Sequence, residues 1–291
     1  MLPRDIFFAT LVAVIWGLGF VASRLALDEL PPTLMTTLRF AIAAVPCMFV
    51  RKPDVSWPLL MAISATLFLG QFLAQAFGIA HGVPVGLASV IVQSQALFTV
   101  AFAVIAFGET PTRLQVIGIA VAACGLLMIC GTVGYDFSVS AFAVLMISPV
   151  VFAIGNLLLR RTRNVPMFDL FAWLCLVAAL PLSMLTLIAD GPRTVWRSLV
   201  NMSPTGIVSI LAIGAVSTSI AYWLWGRLLR DHTAAQVVPF ALLVPFVGAA
   251  ASSAVFGERF GPLRLAGMIT VVCGIAIMLL SKRPQAVVEG V

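Results

Sequence analysis

Four glutamines in two neighbouring apolar segments are the residues best suited to bind a polar ligand. Gln71 and Gln75 are four residues apart, which places both amides on one face of a helix, and Gln93 and Gln95 follow in the next segment. Each amide has two N–H donors and an acceptor oxygen that need partners, and polar groups in an apolar helix either pair or face water. The glutamines therefore predict a wet cavity that binds a zwitterion, with hydrogen bonds between helices as the alternative.

Aromatic and amide side chains in other apolar segments could complete this cavity. Trp16 lies near the middle of the first segment, Asn156 in the sixth, and Tyr222 with Trp223 in the eighth. An aromatic ring can face a ligand ammonium, although tryptophan in membrane proteins also favours the membrane interface. Four further tryptophans lie near segment ends, and we assign them to that interfacial role: Trp57, Trp173, Trp196 and Trp225. Trp16, Asn156, Tyr222 and Trp223 are the predicted ligand contacts.

Arg39 is the one cation some distance inside an apolar segment, about six residues from its start. It could bind a substrate carboxylate, or it could extend outward along the helix and cap helix ends. We favour the structural role.

Three residues are candidates for a gate. His81 ends the third apolar segment, where it either makes loop hydrogen bonds or acts as a pH-sensitive gate. Pro149 and Pro245 lie inside the sixth and ninth segments, and each removes a backbone hydrogen bond from its helix. Helices kinked in this way are suited to move as gating arms.

The elements that position these residues are membrane helices. Of 291 residues, 62% are hydrophobic and 10% are charged, with a mean hydropathy of +1.12, which excludes soluble and disordered chains. A helix needs about 20 apolar residues to cross the membrane, and ten apolar segments reach that length. The predicted spans are 6–27, 33–50, 58–80, 84–107, 113–131, 138–159, 167–189, 205–229, 234–256 and 262–281. The fold class is therefore an all-α integral membrane protein.

The 17 Lys and Arg residues indicate orientation in the membrane rather than a nucleic-acid partner. One alternate set of connections holds 11 of them: Arg4, Arg51, Lys52, Arg113, Arg160, Arg161, Arg163, Arg227, Arg230, Lys282 and Arg283. The other set holds five. By the positive-inside rule both termini are cytoplasmic, and the chain is a multi-pass protein of the inner membrane surrounded by lipid. No sizeable folded surface outside the membrane remains to bind nucleic acid.

Enzymatic chemistry finds no support in the residue pattern. The chain has two histidines and neither an H-E-x-x-H nor a G-x-S-x-G motif, so we expect no catalytic residue, no metal and no cofactor. All 11 acidic residues lie at segment ends or in connections. Proton-driven carriers often use a carboxylate buried in the membrane. Its absence from the predicted spans favours facilitated transport driven by the gradient of the substrate.

An internal repeat divides the chain into two halves, 1–133 and 134–291. At an offset of 149 residues, Phe107, Gly108 and Glu109 align with Phe256, Gly257 and Glu258. Four further pairs match at that offset: Leu114 with Leu263, Gly118 with Gly267, Cys124 with Cys273 and Gly125 with Gly274. Five helices in each half invert the second copy in the membrane. Inverted repeats are typical of secondary transporters, which bind substrate between the two halves.

Several short motifs resemble those of a known family. They are W-G at Trp16 and Gly17, L-R-F at Leu38–Phe40, the run 86–89, and the paired F-G-E. Together they resemble the EamA family of the drug/metabolite transporter superfamily over nearly the whole chain, and in particular its bacterial amino-acid and metabolite exporters. This resemblance implies ten helices around a central cavity and the export of small metabolites.

The sequence therefore predicts an inner-membrane exporter of amino acids or related small metabolites that works by alternating access. One alternative is a proton-coupled exporter of drugs or lipophilic cations. A channel or a scaffold that transports nothing is the alternative from another class.

Overall fold

The apolar segments fold as helices, because a helix satisfies its own backbone hydrogen bonds where no water is available. The computed structural model describes residues 1–134, 137–162 and 165–280, and no strand occurs within these ranges. Of the residues used to predict topology, Arg163, Lys282 and Arg283 lie outside the described ranges. The helices are α1 Pro3–Leu27, α2 Pro32–Ala43, α3 Trp57–Ala80, α4 Val85–Phe107, α5 Arg113–Cys130, α6 Val139–Leu159, α7 Met167–Ala189, α8 Pro192–Val200, α9 Pro204–Asp231, α10 Val238–Phe256 and α11 Pro262–Leu279.

Nine helices in the described part of the chain are long and apolar enough to cross a membrane. The helix within the predicted span 33–50 is shorter than that span, because α2 ends at Ala43 and a 3₁₀ turn over Val45–Met48 follows. Pro46 lies in that turn and has no N–H to continue the helical ladder. The predicted count of ten spanning helices is therefore not confirmed.

The connection between the seventh and eighth predicted spans contains a helix that the sequence pattern did not indicate. Gly191 has a φ of 79°, a left-handed conformation that glycine adopts readily, and Pro192 then starts α8. None of the residues of α8 is buried, and Trp196 is exposed. We had assigned Trp196 to the membrane interface, and this exposed position is compatible with that assignment.

Equivalent helices of the two halves make equivalent contacts with the other half. Helix α1 packs against α9 and α10, and α6, the first helix of the second half, packs against α3 and α4. The second helices of the two halves, α2 and α7, pack on each other, as do the last helices, α5 and α11. Each half therefore uses the same helix positions to contact its counterpart, which is the packing expected of a two-fold repeat.

Glycines from the repeat motif allow α5 and α11 to approach closely. A Cβ on Gly125 would lie 2.7 Å from the carbonyl oxygen of Gly267, and one on Gly274 would lie 2.6 Å from the carbonyl oxygen of Gly118. Both distances are too short for a side chain, so the glycines let the two backbones touch. The four glycines of the repeat motif thus pack crosswise at this interface, Gly125 against Gly267 and Gly118 against Gly274.

Equivalent helices of the two halves are also irregular in equivalent places. Helices α3 and α9 contain π-helical turns over Ala65–Gly70 and Ala212–Ile220, which start 147 residues apart. Helix α4 tightens at Gln93 and Ser94, whose N–H groups bond to carbonyls three residues back, and α10 begins with a 3₁₀ turn over Val238–Leu242. At these turns some backbone N–H and C=O groups lose their regular helical partners or point in a new direction. Proteins tolerate this within a membrane where the backbone lines a cavity.

Candidate functional site

A cavity of about 400 Å³ lies between the two halves. It is lined by side chains from α1, α2, α3, α4, α6, α7, α9 and α10. Eight of the residues singled out in the sequence line it: Trp16, Arg39, Gln71, Gln75, Gln93, Gln95, Asn156 and Tyr222. The packing of the helices thus brings together side chains that are up to about 200 residues apart in the chain.

Trp223 is not among the lining residues, and Trp225 takes the place expected for it. The Trp223 side chain is 45% exposed, whereas Tyr222 and Trp225 both line the cavity. Residues three apart share a helix face, and a neighbouring residue points about 100° away. Trp225 therefore lines the cavity, which its place near the helix end did not indicate, and its interfacial position stays a prediction. Its spacing from Tyr222 is the signal that could have identified it.

The three gate candidates lie away from the cavity lining. His81 is exposed at the end of α3, where its ring stacks on Phe77 and its Nδ1 lies 2.8 Å from the Phe77 carbonyl oxygen. Pro149 is buried within α6, and Pro245 is buried within α10. The contacts of His81 are those of a residue that ends a helix, and a gating role for any of the three stays a prediction.

Aromatic rings form one wall of the cavity. The Trp16 ring centre lies 5.5 Å from that of Tyr222 and 5.0 Å from that of Trp225. On the other side of Tyr222, Phe171 follows at 4.9 Å. Rings at these separations pack favourably and present an apolar surface with polar edges. Phe171 was not selected from the sequence, because nothing distinguishes it from the other 19 phenylalanines.

The π-helical turns of α9 supply a hydrogen bond that fixes Trp16. The indole Nε1 of Trp16 donates to the carbonyl oxygen of Ser217 at 3.1 Å. A regular α-helix would direct this carbonyl to an N–H four residues on, and widening of the turn makes it accessible to a side chain. Gly19 permits the contact, because a Cβ there would lie 2.8 Å from Ser217 Oγ. Trp16 therefore links the first half to the irregular part of α9.

Arg39 lines the cavity at the same irregular turn. Its Nε donates to Thr218 Oγ1 at 3.0 Å, and its guanidinium lies 4.0 Å from the centre of the Phe72 ring. The residue is 5% exposed and forms no ion pair with any carboxylate in the described ranges. Arg39 thus extends into the bundle and does not extend outward to cap a helix end, and its contacts join α2 to α3 and α9.

The amides in the cavity are only partly satisfied by the protein. Gln93 Nε2 donates to the Ala241 carbonyl oxygen at 2.9 Å, which connects the irregular turns of α4 and α10, and Asn156 Nδ2 donates to Thr99 Oγ1 at 3.3 Å. In contrast, Gln71 Oε1 and Gln95 Oε1 are buried and accept no hydrogen bond from a described residue. Buried acceptors of this kind cost free energy unless a ligand or water supplies the donor.

One end of the cavity is closed by tight packing of α1 and α4 against α10. A Cβ on Gly86 would lie 2.9 Å from the Cα of Ala249. Beyond this contact, Glu258 Oε1 and Oε2 accept the backbone N–H groups of Val85 and Gly86 at 2.6 Å and 3.0 Å. A carboxylate is favourable at a helix N-terminus, where unpaired N–H groups carry partial positive charge. Glu258 thus joins the second half to the start of α4.

The cavity extends toward the opposite end of the bundle. There it is lined by residues near the end of α6, the start of α7, the end of α9 and the start of α10: Leu159, Met167, Leu229 and Val238. At this end Glu109 Oε1 pairs with Arg160 Nη1 at 2.8 Å. Glu109 aligns with Glu258 in the repeat, so the two equivalent glutamates have different partners at the two ends.

Comparison with known proteins identifies the family of this chain. The sequence profile of the EamA-like transporter family matches residues 4–131 and matches again over residues 139–280. The chain belongs to the EamA-like transporter family. With nine helices in the described residues that are long enough to span a membrane, this EamA-like transporter is a multi-pass membrane protein. The predicted family and fold class are thereby confirmed.

Relatives of this EamA-like transporter include proteins named for efflux. It is 33% identical to a probable amino-acid metabolite efflux pump of Salmonella typhimurium (strain LT2), with 97% of each chain covered. It is 28% identical to a probable terminal-alkyne amino-acid exporter of Streptantibioticus cattleyicolor, over 97% of this chain and 95% of the other. A solved crystal structure with 17% identity has the same fold, with a TM-score of 0.66 over 94% of this chain and 96% of that chain.

Proposed function

We propose that this transporter exports amino acids or related small metabolites across the bacterial inner membrane. The observation that carries the proposal is the cavity between the two halves, which combines a buried cation, four glutamines and an aromatic wall. Such a site suits a small zwitterion with an apolar part. The names of the two relatives point to the same class of substrate. We assign the cavity residues a role in binding and transport and no role in catalysis.

The distribution of cations supports an orientation with the N-terminus in the cytoplasm. Among the described residues, the end of the bundle toward which the cavity extends carries eight cations against five at the other end: Arg4, Arg51, Lys52, Arg113, Arg160, Arg161, Arg227 and Arg230. By the positive-inside rule this end faces the cytoplasm, and with α2 counted as a short tenth crossing both termini lie there. The cavity then faces the cytoplasm, from which an exporter loads its substrate.

The unequal partners of Glu109 and Glu258 support transport by alternating access. In the conformation described here, Glu258 holds the start of α4 and the outer end is closed. The start of the equivalent helix in the second half lies at Ala234–Val237, at the same offset of 149 residues. In the opposite conformation Glu109 leaves Arg160 and caps that helix start, while Glu258 releases Val85. A two-state exchange of this kind exposes the cavity to each side in turn.

Facilitated transport agrees with the charges of the cavity. No Asp or Glu is among the cavity-lining residues in the described ranges, so the wall offers no carboxylate to carry a proton. The alternative function, proton-coupled export of lipophilic cations, is disfavoured because Arg39 would repel a cation in the cavity. Purified protein in liposomes with only a pH gradient imposed tests this point. Accumulation of an amino acid against its own gradient would overturn facilitated transport.

Counterflow tests the proposed function. Liposomes that contain the purified protein are preloaded with each unlabelled amino acid in turn, and uptake of the same labelled amino acid is measured. A carrier takes up label faster into preloaded liposomes. Unlabelled substrate binds from inside, and the loaded carrier then returns to the conformation that is open to the outside. A channel or a scaffold gives no such stimulation. We expect stimulation by at least one amino acid, and its absence across all of them would refute the proposal.

A further inference from the structure

Arg39 is fixed in the cavity wall by contacts that leave the end of its guanidinium group available. Nε is used by Thr218 Oγ1 at 3.0 Å, and the Phe72 ring supports the planar group from below at 4.0 Å. The two terminal amino groups donate to no protein atom within the described ranges. Because the side chain is held on one face and at Nε, its remaining N–H donors are directed to the cavity that Arg39 lines.

A guanidinium that is 95% removed from solvent is costly unless an anion approaches it. The cavity wall contributes no carboxylate, and Arg39 forms no ion pair with a described residue. The anion that best matches two parallel N–H donors is a carboxylate, which accepts both hydrogen bonds at once. The surroundings of Arg39 therefore fit a carboxylate that is brought by the substrate.

An acceptor for a second substrate group lies in the same cavity. Gln71 is 4% exposed, lines the cavity, and leaves its Oε1 without a donor among the described residues. It directly precedes Phe72, whose ring lies against Arg39. An ammonium group has three N–H donors and no acceptor, so it is the natural partner of an unpaired amide oxygen. Gln95 Oε1 is a second unpaired acceptor in the same cavity.

We propose that Arg39 binds the carboxylate of the exported molecule and that Gln71 accepts a hydrogen bond from its ammonium group. The assignment rests on the proposed function and narrows the substrate to compounds that carry both groups close together, as α-amino acids do. The remaining part of the substrate lies against the aromatic wall formed by Trp16, Tyr222 and Phe171. An amine without a carboxylate would leave the Arg39 guanidinium buried and unpaired.

Binding of matched ligands to the wild-type protein tests the assignment without any variant. The probe is the amino acid that gives the largest counterflow, compared with its amide and with the amine that lacks the carboxylate. For leucine these are leucinamide and 3-methylbutylamine. Because both lose the ion pair to Arg39, we expect each to bind at least about 30-fold more weakly than the amino acid. Equal binding of the amide and the amino acid would overturn the proposal.

The Arg39→Gln variant assigns this discrimination to a residue. We expect it to bind the amino acid and its amide within about threefold of each other, because the ion pair is gone. Arg264→Gln is the matched control, since Arg264 is also buried, donates from Nε to Thr132 Oγ1 at 3.3 Å and lies over a phenylalanine ring, but does not line the cavity. We expect Arg264→Gln to bind the amino acid more tightly than its amide, as the wild type does. Discrimination that survives in Arg39→Gln would contradict the assignment.

The outcomes separate the two proposals. If no amino acid gives counterflow with the wild-type protein, the proposed function fails, and the assignment of Arg39 fails with it. If an amino acid is transported but its amide is transported and bound equally well, the transporter function holds and the role of Arg39 is refuted. Where Arg39→Gln does not fold, Arg39→Lys retains the charge without the paired donors, and we expect it to weaken binding of the amino acid at least tenfold.

Discussion

Glu258 accepts the backbone N–H of Val85 at 2.6 Å, although the two residues are 173 positions apart and belong to different halves of the transporter. The contact joins the end of α10 to the start of α4 and lies at the closed end of the cavity. Its charge is favourable because the first N–H groups of a helix carry partial positive charge. The carboxylate adds to the helix packing that closes this end of the cavity, and a single substitution can remove its charge.

Replacement of Glu258 by Gln should slow transport while the fold is retained. The amide keeps the size of the side chain but loses the charge, so the hydrogen bonds to Val85 and Gly86 weaken and the conformation closed at this end is less populated. We expect counterflow to fall at least about tenfold. Arg259→Gln, an exposed neighbour, is the control and should transport normally. A wild-type rate for Glu258→Gln would show that the cap has no part in the cycle.

Trp16→Phe should damage transport more than Trp223→Phe. The first change removes the donor to the Ser217 carbonyl and leaves that acceptor unpaired beside the cavity, at a cost of about 1–3 kcal/mol. The second affects a tryptophan that is 45% exposed and does not line the cavity. Counterflow rates of the two purified variants test this difference. Equal effects would mean that the cavity wall has been assigned to the wrong face of α9.

Gly274→Ala should destabilise the protein by about 1–3 kcal/mol, because overpacking at a tight contact forces the backbones apart. The new Cβ would overlap the backbone nitrogen of Ala122 and lie 2.6 Å from the carbonyl oxygen of Gly118. Gly261→Ala is the matched control, since nothing lies within 4 Å of a Cβ there. Thermal unfolding in detergent should show a lower midpoint for Gly274→Ala only. Identical midpoints would argue against close contact of α5 and α11.

Acid should weaken the contact between Glu29 and the start of α9. Hydrogen bonds from the Ser203 hydroxyl and then from its backbone N–H lower the pKa of Glu29 below its ordinary value of 4.5. A lowered pKa in the folded state stabilises the protein above the unfolded value, and this stabilisation is lost as the pH falls through the folded pKa. Thermal midpoints of the wild type and Glu29→Gln, measured from pH 6 downward, should converge below pH 4.5. Parallel curves would contradict this role.

Much of the fold follows from residue type and spacing. The lengths of the apolar segments predicted most of the helices. The motifs around Trp16 and Arg39 indicated the family that the comparisons confirm. The spacing of Gln71 and Gln75 also anticipated that both would line one cavity. Their role in binding stays a prediction, as do the boundaries of the two repeats and the gating role of Pro149 and Pro245.

Features that depend on contacts between distant helices were not predictable in the same way. Trp225 shares a helix face with Tyr222, but which face of the irregular helix α9 lines the cavity is set by its packing against other helices. The irregular turn at Gln93 has neither a proline nor a glycine to mark it and is stabilised by the Ala241 carbonyl, 148 residues away. The cap formed by Glu258 is likewise a property of the packed halves.

Counterflow by the wild type and by Gln75→Leu, compared in the same liposomes, tests most directly the claim that substrate passes through this cavity. Leucine approximates the size of the glutamine side chain and removes its amide, which lines the cavity and is 5% exposed. We expect that a preloaded amino acid accelerates uptake by the wild type and that Gln75→Leu lowers this stimulation at least about tenfold. Equal stimulation in both proteins, or none in the wild type, would contradict it.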